Sequence, residues 1–240
     1  MWRWLWLLCW LPLQAAEPVH LVSKHWPGYT NADLSGGYFE LVRLILPPAE
    51  VSLQVELTGF SRAISLVQKQ QADLVLAVTA EDGQHLLLSA RPMDADQVMM
   101  VSQAGFRLPG PLLQLTPAQL AELRLGWDQG YNYGAALGLR VAGYEVQDAR
   151  QGLEMLSKGR LQLYLAEQAD LALPAVQLLL RQLDLQQQQL MQLPVYAGFS
   201  KSERGHLLKK QWDQNVELLR KNGQLQQFYQ RYPELLVSAD

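Results

Sequence analysis

The sequence predicts an α/β protein of two lobes with a ligand cleft between them. Two observations carry that expectation. The order strand, helix, strand, helix, strand runs through the chain twice, which argues for two α/β units rather than one closed barrel. One strand candidate, ADLVLAV at 72–78, is apolar at nearly every position, as expected where helices cover both faces of a sheet. The length of 240 residues suits two such units or one large domain.

The first residues, MWRWLWLLCWLPLQAAEP, stand outside the fold. One basic residue (Arg3), a short apolar run and the small residues Ala15 and Ala16 have the layout of a secretory signal peptide, assigned to 1–16. The run is short for a membrane span, and an uncleaved N-terminal anchor is the alternative. The one cysteine, Cys9, leaves with this segment, so the exported chain must be held by its core rather than by disulfides.

The first round opens with VHLVSK as a strand and HWPGYT as an aromatic loop. A helix is expected over LSGGYFELVRLIL, with Asp33 as N-cap, apolar residues at Leu34, Tyr38, Leu41, Val42 and Ile45, and Pro47–Pro48 as stop. VSLQVELTG alternates like a strand. SRAISLVQKQQ reads as a helix capped by Ser61, and ADLVLAV follows it.

The second round has DQVMMVSQ as a strand and LTPAQLAE as a short helix with an early proline. LRLGWDQG runs from strand to turn, Gly134–Val141 is a helix candidate, YEVQD a strand, ARQGLEMLSKG a helix and RLQLYLAE a strand. Gln186–Gln189 read as a solvated helix end and loop. ERGHLLKKQWDQNVELLRKNG is expected to bury Leu207, Leu208, Trp212, Val216 and Leu219 along one face, and LQQFYQRY ends the chain as a short helix.

Composition excludes several functions. The net charge of −3 comes without a basic block, so nucleic acid is not an expected partner. The histidines, His20, His25, His85 and His206, have no metal-ligand spacing, and neither a metal nor another cofactor is expected. Nucleophile-elbow, Walker and dinucleotide fingerprints are missing.

Taken in order, HWPGY, GFSRAISLVQKQQAD, Ser89–Pro92, GWDQGYNY, LEMLSKGR, GFSKSE and LLRKNGQLQQFYQRY resemble the bacterial extracellular solute-binding proteins of family 3, typified by periplasmic amino-acid-binding proteins. The resemblance implies a two-lobed periplasmic-binding-protein-like fold of type II. Lobe 1 would hold 17–100 and 196–240, and lobe 2, inserted between two crossings, 101–195. The crossings are expected near Val98–Gln103 and Leu193–Ala197. It also implies a monomeric periplasmic protein that closes on a small solute by hinge motion and delivers it to an ABC-type membrane permease. A stand-alone sensory or accessory protein presenting its ligand to a membrane receptor is the alternative, and a periplasmic dehydratase-like enzyme a weaker one, since fold does not choose function. No catalysis is expected, because nothing in the sequence fixes the separation of the carboxylates, Glu81 or Asp82 against Glu167, that acid–base work would need.

Amino-acid-binding members usually carry threonine-x-glutamate-arginine after the third strand, the arginine clamping the ligand carboxylate. The matching run here is Thr79, Ala80, Glu81, Asp82, with a carboxylate in the arginine's place. Either this is a cleft loop selecting a polar or cationic solute, or a solvated acidic pair. Trp26 and Tyr29 follow the first strand, where ligands sit in open α/β sheets, and either pack on the solute or on their own lobe. Phe60 and Arg62 match a family aromatic–arginine position, Arg62 being a substitute clamp or a scaffold partner of Asp73 or Glu56. Asp128, Gly130, Tyr131 and Asn132 form a turn before a helix, whose N–H groups suit an anion. Glu167 matches the family aspartate that receives an amino group, or caps a helix. Trp127 is divided between cleft edge and core, and Trp212 is expected in the core.

Overall fold

The computed structural model describes residues 18–131, 133–139 and 141–235. The expected signal peptide and Asn132 lie outside the described residues. No helix among them is long and apolar enough to cross a membrane.

The first lobe begins with β1 (Val19–Ser23), α1 (Gly37–Ile45), β2 (Leu53–Leu57), α2 (Phe60–Gln68), β3 (Leu74–Val78) and the two-residue β4 (Leu87–Leu88). β1 pairs in parallel with β2 and β3, and every residue of β3 is buried, as its apolar composition requires. β5 (Asp94–Gln103) leads into the second lobe, which holds α3 (Pro117–Ala121), β6 (Leu125–Asp128), α4 (Tyr133–Ala136), β7 (Tyr144–Val146), α5 (Ala149–Ser157), β8 (Leu163–Glu167), α6 (Gln168–Leu171) and α7 (Pro174–Gln182). The 15-residue β9 (Leu185–Phe199) returns, and α8 (Glu203–Lys221) and α9 (Gln224–Arg231) close over the first lobe.

Two cores result. The first joins Leu21, Val42, Leu74 and Leu76 to Phe199, Trp212 and Phe228, so both ends of the chain share one interior. The second lobe buries both faces of its sheet. Leu163 and Leu165 pack with Trp127 on one face, and Tyr164 and Ala166 pack with Leu153 and Leu156 on the other.

The lobes are joined by two long antiparallel strands. β5 and β9 pair from Asp94↔Val195 to Gln103↔Leu185, with a shift between Val98 and Met99 where β9 carries an extra residue. The far end of β9 pairs instead with β3, through Val78↔Tyr196 and Leu74↔Phe199. Met93 belongs to the first core and Val98 to the second, so the first crossing is Asp94–Gln97, ahead of the expected Val98–Gln103.

Other expectations give way to local competition. Asp33 does not cap α1; it accepts from the Ser35 N–H at 3.0 Å in a turn of its own, and Gly36 holds the cap position. Ser61 lies inside α2, which begins at Phe60 after Gly59. Gln186–Gln189 are strand, because the ladder to β5 satisfies their backbone while their side chains stay in solvent. The helix expected over Gly134–Val141 is reduced to α4. Leu207 is 63% exposed, and the buried face of α8 is Leu208, Trp212, Val216 and Leu219.

Candidate functional site

A cavity of about 400 Å³ lies between the lobes. The loop Trp26–Tyr29, Tyr38, Ala77 and Glu234 line it from the first lobe, Asp94–Gln97 from the crossing strand, and Glu167–Asp170 and Leu173 from the second lobe.

Local chemistry places each wall. The fully buried Thr30 hydroxyl accepts from the Trp26 N–H at 2.9 Å and donates to the Lys24 carbonyl at 2.6 Å, which coils the loop after β1. The loop's carbonyls then satisfy orphan N–H groups at the start of α1, Gly37 to Gly28 and Tyr38 to Tyr29. Gly36 is required there: at φ 112°, a Cβ would lie 2.5 Å from the Tyr29 carbonyl oxygen. Ala77 has φ 56°, in the left-handed region, at the register break between Val75 and Val78. That strain sits in the cavity wall, where irregular backbone commonly serves a site.

Alternation along β5 puts Asp94 and Asp96 on one face, both toward the cavity. Asp94 is tied down, accepting from the Tyr38 hydroxyl at 2.9 Å and the Ala95 N–H at 2.7 Å. Asp96 faces Glu167. Burial, and then the Asp94 carboxylate, push the Asp96 carboxyl up to about 8. Burial, and then Asp96, hold Glu167 well above the usual carboxylate range. The two form one coupled pair that retains a proton at neutral pH. Glu167 occupies the N-cap position of α6 yet makes no side-chain cap hydrogen bond. Asp170 is also raised by burial, opposed by Lys24. None of the lining side chains is cationic.

Beside the cavity the lobes touch through aromatic side chains. The Trp26 Nε1–H donates to the Tyr131 hydroxyl at 2.9 Å. The Tyr131 ring stacks on Phe60 with centroids 5.7 Å apart and on Tyr133 at 5.6 Å. Lys24 Nζ sits 4.9 Å over the Tyr131 ring and 3.4 Å from its hydroxyl. Gly130, at φ 93°, lets the second lobe come close: a Cβ would lie 2.9 Å from Ser61 Oγ. The Trp26 hydrogen bond and the Phe60 stack alone bridge the lobes with about 1–3 kcal/mol, to which the Lys24 contacts add.

The sequence-derived candidates therefore separate into groups. Trp26, Tyr29 and Glu167 line the cavity. Phe60, Gly130 and Tyr131 form the inter-lobe bridge next to it. Asp128 accepts a short hydrogen bond from Tyr164, and burial pushes its carboxyl up to about 6. Thr79 donates to Asp82 at 2.8 Å in a turn that lines no part of the cavity, and burial raises the Asp82 carboxyl there. Arg62 points away, its side chain 68% exposed and 4.0 Å from Glu56, while Asp73 pairs with Arg204 at 3.2 Å. Trp127 is core, 4% exposed. Lys24, Tyr38, Asp94, Asp96, Asp170 and Glu234 were missed. The Asp-Ala-Asp of PMDADQ, with two acids at strand spacing, was the available signal.

The sequence matches no family model and no curated protein. Solved structures do match. A histidine kinase sensor domain with similarity to periplasmic binding proteins superposes with a TM-score of 0.68 at 13% identity, over 92% of this chain and 98% of that one. A substrate-binding protein of an ABC uptake transporter from Streptococcus pneumoniae, with bound histidine, gives 0.67 at 14%, over 93% and 95%. EhuB in complex with hydroxyectoine gives 0.65 at 19%, over 92% and 89%. At these identities the likeness is one of fold: the chain has the two-lobed periplasmic-binding-protein-like architecture.

Proposed function

We propose that the chain binds a small cationic solute, an amine, in the cavity between its lobes. One observation carries this reading: Asp94, Asp96, Glu167, Asp170 and Glu234 line a cavity with no lysine, arginine or histidine among the lining residues. Carboxylates in a poorly solvated cleft favour a cation and disfavour a second anion. Trp26 and Tyr29 add aromatic surface, which attracts ammonium groups. A carboxylate ligand would find no arginine in the cavity wall, and Arg62 is exposed and faces Glu56.

In this reading the lobes close on the amine, and the protein works in the periplasm after cleavage near Ala15 or Ala16, delivering its solute to an ABC-type permease. The division into two lobes belongs to the same proposal, with the first boundary drawn at Asp94–Gln97 rather than at residue 100. A thermal-shift screen of amines, neutral amino acids, small peptides and organic acids tests it, since a ligand specific to the folded state raises apparent stability. Amines are expected to give the largest shifts. Equal stabilisation by a neutral amino acid or an organic acid would overturn the reading. Loss of amine uptake on deleting the gene, restored only by the exported form, is the expected result in cells.

A further inference from the structure

We propose that the solute is a linear diamine without a carboxylate, one ammonium held by Asp96, Glu167 and Asp170 and the other by Glu234 at the rim. The proposal rests on the cation reading above and narrows it to a substrate class.

Charge comes first. If the Asp96–Glu167 pair keeps one proton, the lining still carries charge on Asp94, on the pair, on Asp170 and on Glu234. Lys24 offsets one of these, but it is engaged with Tyr131 rather than paired with an acid. A single ammonium leaves more of that charge unmet than two do.

The acids are also divided in space. Asp96, Glu167 and Asp170 come from the crossing strand and the second lobe, whereas Glu234 is an exposed residue of the first lobe. The Tyr29 hydroxyl is influenced by acids of both groups, by Asp94 and Glu167 and by Glu234. Between them the wall is Trp26, Tyr29, Tyr38, Ala77 and Leu173, a surface suited to a methylene chain. The volume, about 400 Å³, is near the small end of ligand pockets, commonly about 300–1,000 Å³, and suits one short chain rather than a peptide.

A further buried group, outside the residues that line the cavity, lacks a partner near Glu167. The Tyr133 side chain is only 3% exposed, and its hydroxyl has no hydrogen-bond partner among the described residues. A buried polar group without a partner is uncommon. Glu167 is the carboxylate that acts on it most strongly. Its oxygen can accept from an ammonium that sits against Glu167.

Titration calorimetry of the mature protein with 1,5-diaminopentane, 1,4-diaminobutane, butylamine and lysine tests the inference. Lysine is 1,5-diaminopentane with a carboxylate added, so this pair isolates the cost of the anion. The diamines are expected to bind at least tenfold more tightly than butylamine, and 1,5-diaminopentane at least tenfold more tightly than lysine. Glu234→Gln, an exposed and nearly isosteric change, is expected to bring the diamine-to-butylamine affinity ratio close to one. Butylamine binding as tightly as the diamines, or a ratio unchanged in Glu234→Gln, overturns the diamine proposal while the cation reading stands. Lysine matching 1,5-diaminopentane likewise overturns the diamine proposal alone, whereas no binding by any amine, or binding of Ca²⁺ in their place, overturns the amine reading itself.

Discussion

Glu167→Gln removes one of two facing carboxyls and leaves the shape of the cavity nearly unchanged, so it tests the shared proton directly. The folded chain holds Asp96 at about 8, against 3.8 for the free group, and holds Glu167 above its own usual value. Between those limits the folded chain keeps protons that the unfolded chain has released. Stability must therefore fall as pH rises from about 4, and the fall from Asp96 ends near pH 8. Each retained proton contributes about 1.4 kcal/mol per pH unit. From pH 5 to 7 the raised Glu167 carboxyl costs the wild type stability that the glutamine variant does not lose. Asp82, Asp128 and Asp170 are raised as well, but they are present in both proteins and cancel in the difference. Lys24, Asp94 and the hydroxyls of Tyr29, Tyr131 and Tyr133 face the pair and are also common to both. Urea unfolding at pH 5, 6 and 7 supplies the stabilities. The variant should match the wild type at pH 5 and exceed it at pH 7. Parallel pH dependences in the two proteins would refute the coupled pair.

Amine affinity should fall by up to tenfold per pH unit between pH 8 and 6, because a bound cation requires the Asp96–Glu167 pair to give up its proton; calorimetry in buffers of different ionisation enthalpy would show that release. Tyr131→Phe keeps the stack on Phe60 but loses the Trp26 hydrogen bond, weakening lobe closure by about 1 kcal/mol. X-ray scattering should then show a larger radius of gyration for the free protein, and larger still for Tyr131→Ala. Arg62→Ala should change stability by less than about 0.5 kcal/mol, and amine affinity by less than twofold, because that exposed guanidinium pairs only loosely with Glu56; a larger loss of affinity, read by calorimetry, would return Arg62 to the site.

Much of the fold was legible because its signals are local. The apolar run of β3, the proline and capping threonine of α3 and the apolar face of α8 each depend on a few neighbouring residues. The failures are places where a distant partner decides. The glutamines of β9 have no strand character of their own, and β5 makes them strand through the backbone. Asp33 and Ser61 are good caps, but one found a nearer hydrogen bond and the other sits one turn position too late. At the site, Trp26, Tyr29 and Glu167 were found because they flank strand ends. The significance of Asp96 was hidden, because its raised carboxyl comes first from burial, which no local pattern shows, and the carboxyl it faces, Glu167, lies 71 positions along the chain and is brought near by the β5–β8 pairing.

The β5–β9 ladder does more than connect the lobes. Backbone hydrogen bonds continue through the crossing, so the lobes are mounted on a twisted two-strand ribbon rather than on two independent swivels. Such a ribbon resists shear along the strands and yields mainly by bending across its face, like a leaf spring anchored at both ends. The extra residue of β9 opposite Val98 and Met99 is the soft point where curvature can gather without breaking the ladder. Any opening is thereby confined to a narrow arc, and Asp96 and Glu167, on adjacent strands of one sheet, keep their separation throughout it.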